Sequence, residues 1–203
     1  MRATFLQRYS EGPHDALVES GSVYFSRPGR MRWEYEAPES HVFVSDGKTI
    51  WSYVPSDHTA TRVPVKESSD WRTPLALLTG KADLAKLCSR IELLPPPGSS
   101  PDNAVLRCLP KGEKVSSTPG KSPAAQNAAE LPSPDDFIEV RIEVHSQTGQ
   151  LANVEIRQAG SIILEYRFGG WQENIQLPDS LFRFKTPVGV AIVDGSALSD
   201  LKP

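Results

Sequence analysis

Four histidines, His14, His41, His58 and His145, and two cysteines, Cys88 and Cys108, are the residues of this chain best suited to hold a metal or attack a substrate. Their spacing serves neither purpose. No two histidines fall within the few residues that ligand pairs on one turn require, and none neighbours a cysteine. There is no Gly-x-Ser-x-Gly elbow, no phosphate-cradling loop and no dinucleotide fingerprint. Asp46 stands in Ser45-Asp46-Gly47-Lys48, where an Asp-Gly pair between two apolar runs reads as a tight turn. The residues therefore point to binding rather than catalysis, and no enzyme, metal or cofactor is expected. The cysteines are equidistant from Gly98, so an in-register hairpin would set them opposite each other. They could bridge, or stand as two half-buried free thiols.

The elements that position these residues are strands. From Gly21 to Pro55, apolar and polar residues alternate in three runs, with Val23 and Phe25, then Met31, Trp33 and Tyr35, then Trp51 and Tyr53 expected on one set of faces. A period of two means strands with one face buried and one wet. Pro28-Gly29, Pro38 and Asp46-Gly47 break the runs, which makes an antiparallel sheet wound by short turns. Ala3–Tyr9, Ala16–Phe25, Ala60–Val65, Cys88–Leu94 and Ala104–Leu109 read as further strands. Ile138, Val140, Ile142 and Val144 alternate with Glu139, Arg141, Glu143 and His145. Ala152, Val154 and Ile156 return, Ile162 to Phe168 follows, and Ala191–Val193 closes the series. The period changes only near Thr73, an N-cap before Pro74, where Leu75, Leu77 and Leu78 suggest a short helix and Leu84 and Leu87 a second.

These segments predict a mainly β fold of about ten or eleven strands in up-and-down order, closing or nearly closing into a barrel, in one domain spanning 1–203. Residues 111–136 are rich in Ser, Pro, Ala and Gly and read as a disordered insertion. The net charge of -3 leaves no basic stripe for nucleic acid. No apolar run reaches the roughly 18 residues of a membrane-spanning helix.

Arg27-Pro28, Met31-Arg32-Trp33-Glu34-Tyr35, Pro38 and Val44-Ser45-Asp46-Gly47-Lys48-Thr49-Ile50-Trp51-Ser52-Tyr53-Val54-Pro55 together resemble the signature of the periplasmic outer-membrane lipoprotein carrier family, LolA. Thr73-Pro74-Leu75-Ala76-Leu77-Leu78 is similar to that family's lid-helix segment. Phe182-Arg183-Phe184 with Pro187-Val188-Gly189-Val190 is similar to its closing strands, and Ala3–Arg8 to its first. The resemblance implies an incomplete, unclosed antiparallel β-barrel with a small helical lid over an apolar cavity. It implies Arg27 as a latch hydrogen-bonded to the lid backbone. Met31, Trp33, Tyr35, Trp51, Leu75, Leu77 and Leu78 become candidates for lining the cavity, each of them equally readable as ordinary core.

What the resemblance implies for function is a monomeric, non-enzymatic periplasmic carrier. It would shelter the acyl chains of lipoproteins between an inner-membrane ABC transporter and an outer-membrane acceptor. The alternative is a lipid- or lipoprotein-sensing regulatory module of the cell envelope on the same fold. The family pattern also includes an export signal and an amphipathic helix ahead of the first strand; this sequence starts almost at that strand.

Overall fold

Alternation produces strands where it predicted them, and the computed structural model describes residues 1–12, 16–26, 29–65, 84–111 and 137–195. The Thr73–Leu78 helix, Arg27 and nearly all of the 111–136 insertion lie outside the described residues. Within them the chain runs β1 (Arg2–Glu11), β2 (Leu17–Ser26), β3 (Arg30–Ala37), β4 (His41–Ser45), β5 (Thr49–Val54) and β6 (Thr59–Pro64). A four-residue helix, α1 (Leu84–Leu87), leads into β7 (Cys88–Leu94), β8 (Asn103–Pro110), β9 (Phe137–His145), β10 (Leu151–Gln158) and β11 (Ile162–Gln172). The last strand is β12 (Ala191–Asp194).

The hydrogen-bonded order is β12-β6-β5-β4-β3-β2-β1-β11-β10-β9-β8-β7. This is an open sheet made of two meanders, β1 to β6 and β7 to β11, and it departs from a continuous up-and-down series. Consecutive β6 and β7 do not pair, because β6 takes β12 as its outer neighbour in a parallel ladder from Ala191↔Thr59 to Asp194↔Arg62. The ladders from β2 to β6 and from β7 to β11 are antiparallel. The stretch expected to resemble closing strands is mostly not strand: Asp179–Phe182 is a 3-10 turn, and only β12 extends the sheet.

By its contacts the chain divides into two compact units. One takes Met1–Phe5, the described residues between Glu19 and Lys81, and those from Gly170 onward. The other takes Leu6–Val18 and the described residues from Ala82 to Gly169.

Turn chemistry fixes register in the first unit. Asp46 Oδ1 accepts hydrogen bonds from the backbone N–H groups of Lys48 and Thr49, both at 2.8 Å, and Gly47 takes a φ of 91° that other residues avoid. Asp46 is thus a turn residue. The turn pairs Ser45 with Ile50 and Val44 with Trp51. Gly21 faces a bulge in β3, where Glu36 is the extra residue, and a Cβ on it would lie 1.9 Å from the Glu34 carbonyl oxygen, so only glycine lets these backbones approach.

In the second unit Cys88 and Cys108 are joined in a disulfide, with their Cα atoms 5.5 Å apart. They are not directly opposite: a register shift between Cys88 and Arg90 sets Cys88 against Pro110 and Ile91 against Cys108. The bridge staples β7, an outermost strand of the sheet, to β8. By the chain-entropy account, a cross-link over a separation of 20 residues stabilises by about 3 kcal/mol. The unfolded protein without reductant should give no Ellman-reactive thiol. Reduction should lower the melting temperature by roughly 5–10 °C. Two reactive thiols, or an unchanged melt on reduction, would contradict the staple.

Candidate functional site

On one face of the first unit an aromatic cluster grows from the alternation of β3. Met31 and Trp33 are 1% and 2% exposed. Phe5 of β1 packs edge-on to both Trp33 and Tyr35, with ring centroids 4.8 Å away in each case. Phe25 meets Trp33 edge-on and stacks near Trp171. Tyr35 stacks on His41 at 3.6 Å. Burial holds the His41 imidazole below the usual histidine pKa, so it is neutral at pH 7 and behaves as one more flat ring. These groups make a continuous apolar layer in which Phe5, Met31 and Trp33 are buried.

Trp51 is not part of that surface. The Ser45↔Ile50 register places Ile50, Ser45 and Met31 on one face and Trp51, Val44 and Arg32 on the other. The expectation that Trp51 and Tyr53 share the Trp33 face is therefore corrected by one residue of turn geometry. Both pack against Phe184, whose ring lies 5.0 Å from Trp51 and 5.6 Å from Tyr53. The segment 179–184 is held over this second face by Asp179 on Arg30 at 2.6 Å, by Arg30 over the Phe182 ring, and by Arg32 donating to the Leu181 carbonyl. Phe182 itself is 1% exposed.

A cleft of about 500 Å³ opens in the same unit, lined by Met1, Phe25, Ser26, Asn174, Ile175 and Leu177. Phe25 connects it to the aromatic cluster. The predicted residues Met31, Trp33 and Tyr35 come together but do not line this cleft, and Leu75, Leu77, Leu78 and Arg27 are outside the described residues.

The second unit separates its two faces more completely. Cross-strand register aligns Ile91, Cys108, Val140, Ile156 and Leu164 in one row, and Leu93, Leu106, Ile142, Val154 and Tyr166 in the next. Val154 and Ile156 are buried, while toward the edge Ile91 is 44% and Leu93 72% exposed. The face is apolar throughout, buried at its centre and open to solvent at the edge. Ile91 and Leu93 were missed as site residues from the sequence. Their alternation with Arg90 and Glu92 was readable, but nothing in it distinguished an open edge from a covered core.

The reverse face is an ion-pair chain across four strands. Arg90 reaches Glu92 at 2.7 Å, Arg107 bridges Glu92 at 3.1 Å and Glu139 at 2.8 Å, and Arg141 joins Glu139 to Glu155, which Arg157 meets at 2.7 Å. Glu139 is buried. Its burial alone would raise its pKa, but hydrogen bonds and charge from Arg107 and Arg141 outweigh that and hold it below the usual carboxylate value. This face is satisfied by its own charges.

The first 94 residues match the family model described as "Outer membrane lipoprotein carrier protein LolA". The outer-membrane lipoprotein carrier protein of Nitrosospira multiformis is 29% identical over 95% of this chain and 81% of its own length. That of Cupriavidus pinatubonensis is 28% identical over 95% of this chain and 80% of its own. An uncharacterized conserved protein from Thermus thermophilus matches in structure with a TM-score of 0.52, covering 96% of this chain and 90% of that one at 11% identity. At such identity this likeness concerns the fold.

A carboxyl whose pKa is lowered on folding adds stability above its unfolded value, and that contribution is lost as pH falls through the folded value. Glu139 should therefore make the protein lose stability below about pH 4.5, the ordinary glutamate range. Glu139→Gln should be less stable than wild type at pH 7 and show a shallower fall between pH 5 and 3 in urea melts. Equal slopes for the two proteins would contradict the role given to this ion-pair chain.

Proposed function

We propose that this LolA-like chain is a periplasmic carrier that shelters the acyl chains of lipoproteins against the apolar faces of its open sheet and delivers them toward the outer membrane. The observation that carries this reading is the division of labour in β7 to β10, where one face is neutralised by an Arg–Glu chain and the other presents aliphatic rows that open to solvent at Ile91 and Leu93. The names of its relatives support the same class of cargo.

The physics is that of transfer out of water. Each sheltered methylene contributes roughly 0.8 kcal/mol, so about ten contribute around 8 kcal/mol, a firm but reversible grip. In this reading the whole chain is one carrier domain. Met31, Trp33 and Tyr35 with Phe5 and Phe25 form the apolar surface of one unit, and Ile91 and Leu93 extend that of the other. Trp51, packed on Phe184, supports the sheet from behind. Leu75, Leu77 and Leu78 would act as the lid, with Arg27 its latch, because a guanidinium fork suits main-chain carbonyls at a helix end. The donor would be an inner-membrane ABC transporter and the receiver an outer-membrane acceptor. The carrier itself would act as a monomer and without catalysis.

Purified protein mixed with a triacylated lipoprotein in detergent-free buffer should hold it in a soluble one-to-one complex. Arg27→Leu should load as wild type does but release to an acceptor several-fold more slowly. A lipoprotein that stays aggregated would overturn the carrier reading, and normal release by the variant would overturn the latch.

A further inference from the structure

Gln158 is the polar residue that the aliphatic rows of the second unit do not explain. It ends β10 on the face of Val154 and Ile156, pairs across to Ile162, and is 6% exposed. Its amide nitrogen Nε2 is buried and has no hydrogen-bond partner among the described residues. A buried amide donor left unpaired works against folding, and such groups in native proteins call for a reason. Beside it β9 carries a bulge: Arg157 pairs with Glu139 but Gln158 with Phe137, leaving Ile138 as the extra residue. Ile138 is 58% exposed, so the residue that the bulge sets beside the strand pair of Gln158 meets solvent. The adjoining turn, Ala159–Ser161, is exposed.

We propose that Gln158 donates a hydrogen bond to the carbonyl oxygen at the head of a bound acyl chain, an inference that rests on the carrier reading. An acyl chain is apolar along its length and carries one acceptor, the ester or amide carbonyl that links it to its headgroup. The site supplies the complement: one donor, aliphatic neighbours, and a strand end beside an exposed turn where the linkage can meet solvent. From β10 to β7 the rows continue for about 14 Å at roughly 4.8 Å per strand, ending at Ile91 and Leu93. A neutral carbonyl suits a donor in these surroundings, whereas a carboxylate would have to shed its hydration, and the cross-strand partners of Gln158, Ile162 and Phe137, carry no charge to replace it.

The test compares three probes of equal chain length on the full protein: a fatty-acid methyl ester, the matching alkyl methyl ether and the free fatty acid. Wild type should bind the ester about fivefold more tightly than the ether, the scale of one neutral hydrogen bond. It should also bind the ester more tightly than the acid. Gln158→Met should keep its affinity for the ether and lose the ester preference. Ligand-free, it should melt at or above the wild-type temperature, because an unpaired buried amide is gone. An ester preference that survives the substitution, equal binding of ester and ether by wild type, or a lower melting temperature for the variant would each overturn the assignment. Tighter binding of the acid would overturn it in favour of a carboxyl ligand. If wild type bound neither ester nor ether, the carrier reading would fail and this assignment with it. Equal binding of the two would leave that reading standing and remove only the carbonyl donor.

Discussion

The strict separation of charge from grease across β7 to β11 is the constraint on which the rest depends. Side chains in a strand alternate between faces, so a slip of one residue in any ladder would turn Glu139, Arg141 or Glu155 into the aliphatic rows and throw Val140, Val154 or Ile156 into water. Charges buried without partners cost far more than a lost hydrophobic contact, and the paired Arg–Glu chain therefore fixes register as much as it stabilises it. Isolated surface pairs contribute little; here the members share partners, and Glu139 is nearly closed from solvent between two guanidinium groups. The opposite face is apolar right out to the edge strand that the Cys88–Cys108 bridge secures.

The first unit solves a related problem differently. Its β3 also alternates, but the second face is covered by the chain itself, with Phe184 set on Trp51 and Tyr53, Phe182 under the Arg30 guanidinium, and the segment pinned by Arg30 to Asp179. Covering one face leaves Phe5, Phe25, Trp33 and Tyr35 to gather on the other. Large aromatic rings give broad contact with few rotatable bonds, so the cluster packs at little cost in side-chain entropy. The neutral His41 stacked on Tyr35 extends this surface without bringing charge to it.

Much of the fold was legible because its rule is local. The Ile138–Val144 alternation with its charged partners and the Asp46-Gly47 turn mark their strands without any knowledge of the fold. The face assignment of Trp51 was not legible. It depends on whether the hairpin pairs Ser45 with Ile50 or with Trp51, and the hydrogen bonds from Lys48 and Thr49 to Asp46 decide this, not the hydrophobic pattern. Strand order failed for a similar reason: nothing in Ala191–Asp194 says that it will run parallel to β6, since long-range pairing leaves no periodic trace. The open edge at Ile91 and Leu93 and the orphaned amide of Gln158 were invisible because exposure and hydrogen-bond satisfaction belong to the folded surroundings, not to the residue type.

The central claim is that acyl chains lie on the apolar faces and never on the charged one. A lipoprotein whose fatty chains carry a photoreactive diazirine tests it directly. After loading and irradiation, mass spectrometry should place the adducts on Ile91, Leu93 and the aromatic surface around Phe25 and Tyr35. Adducts concentrated on the Arg90–Arg157 ion-pair face, or none above those of an unrelated soluble protein, would contradict the account.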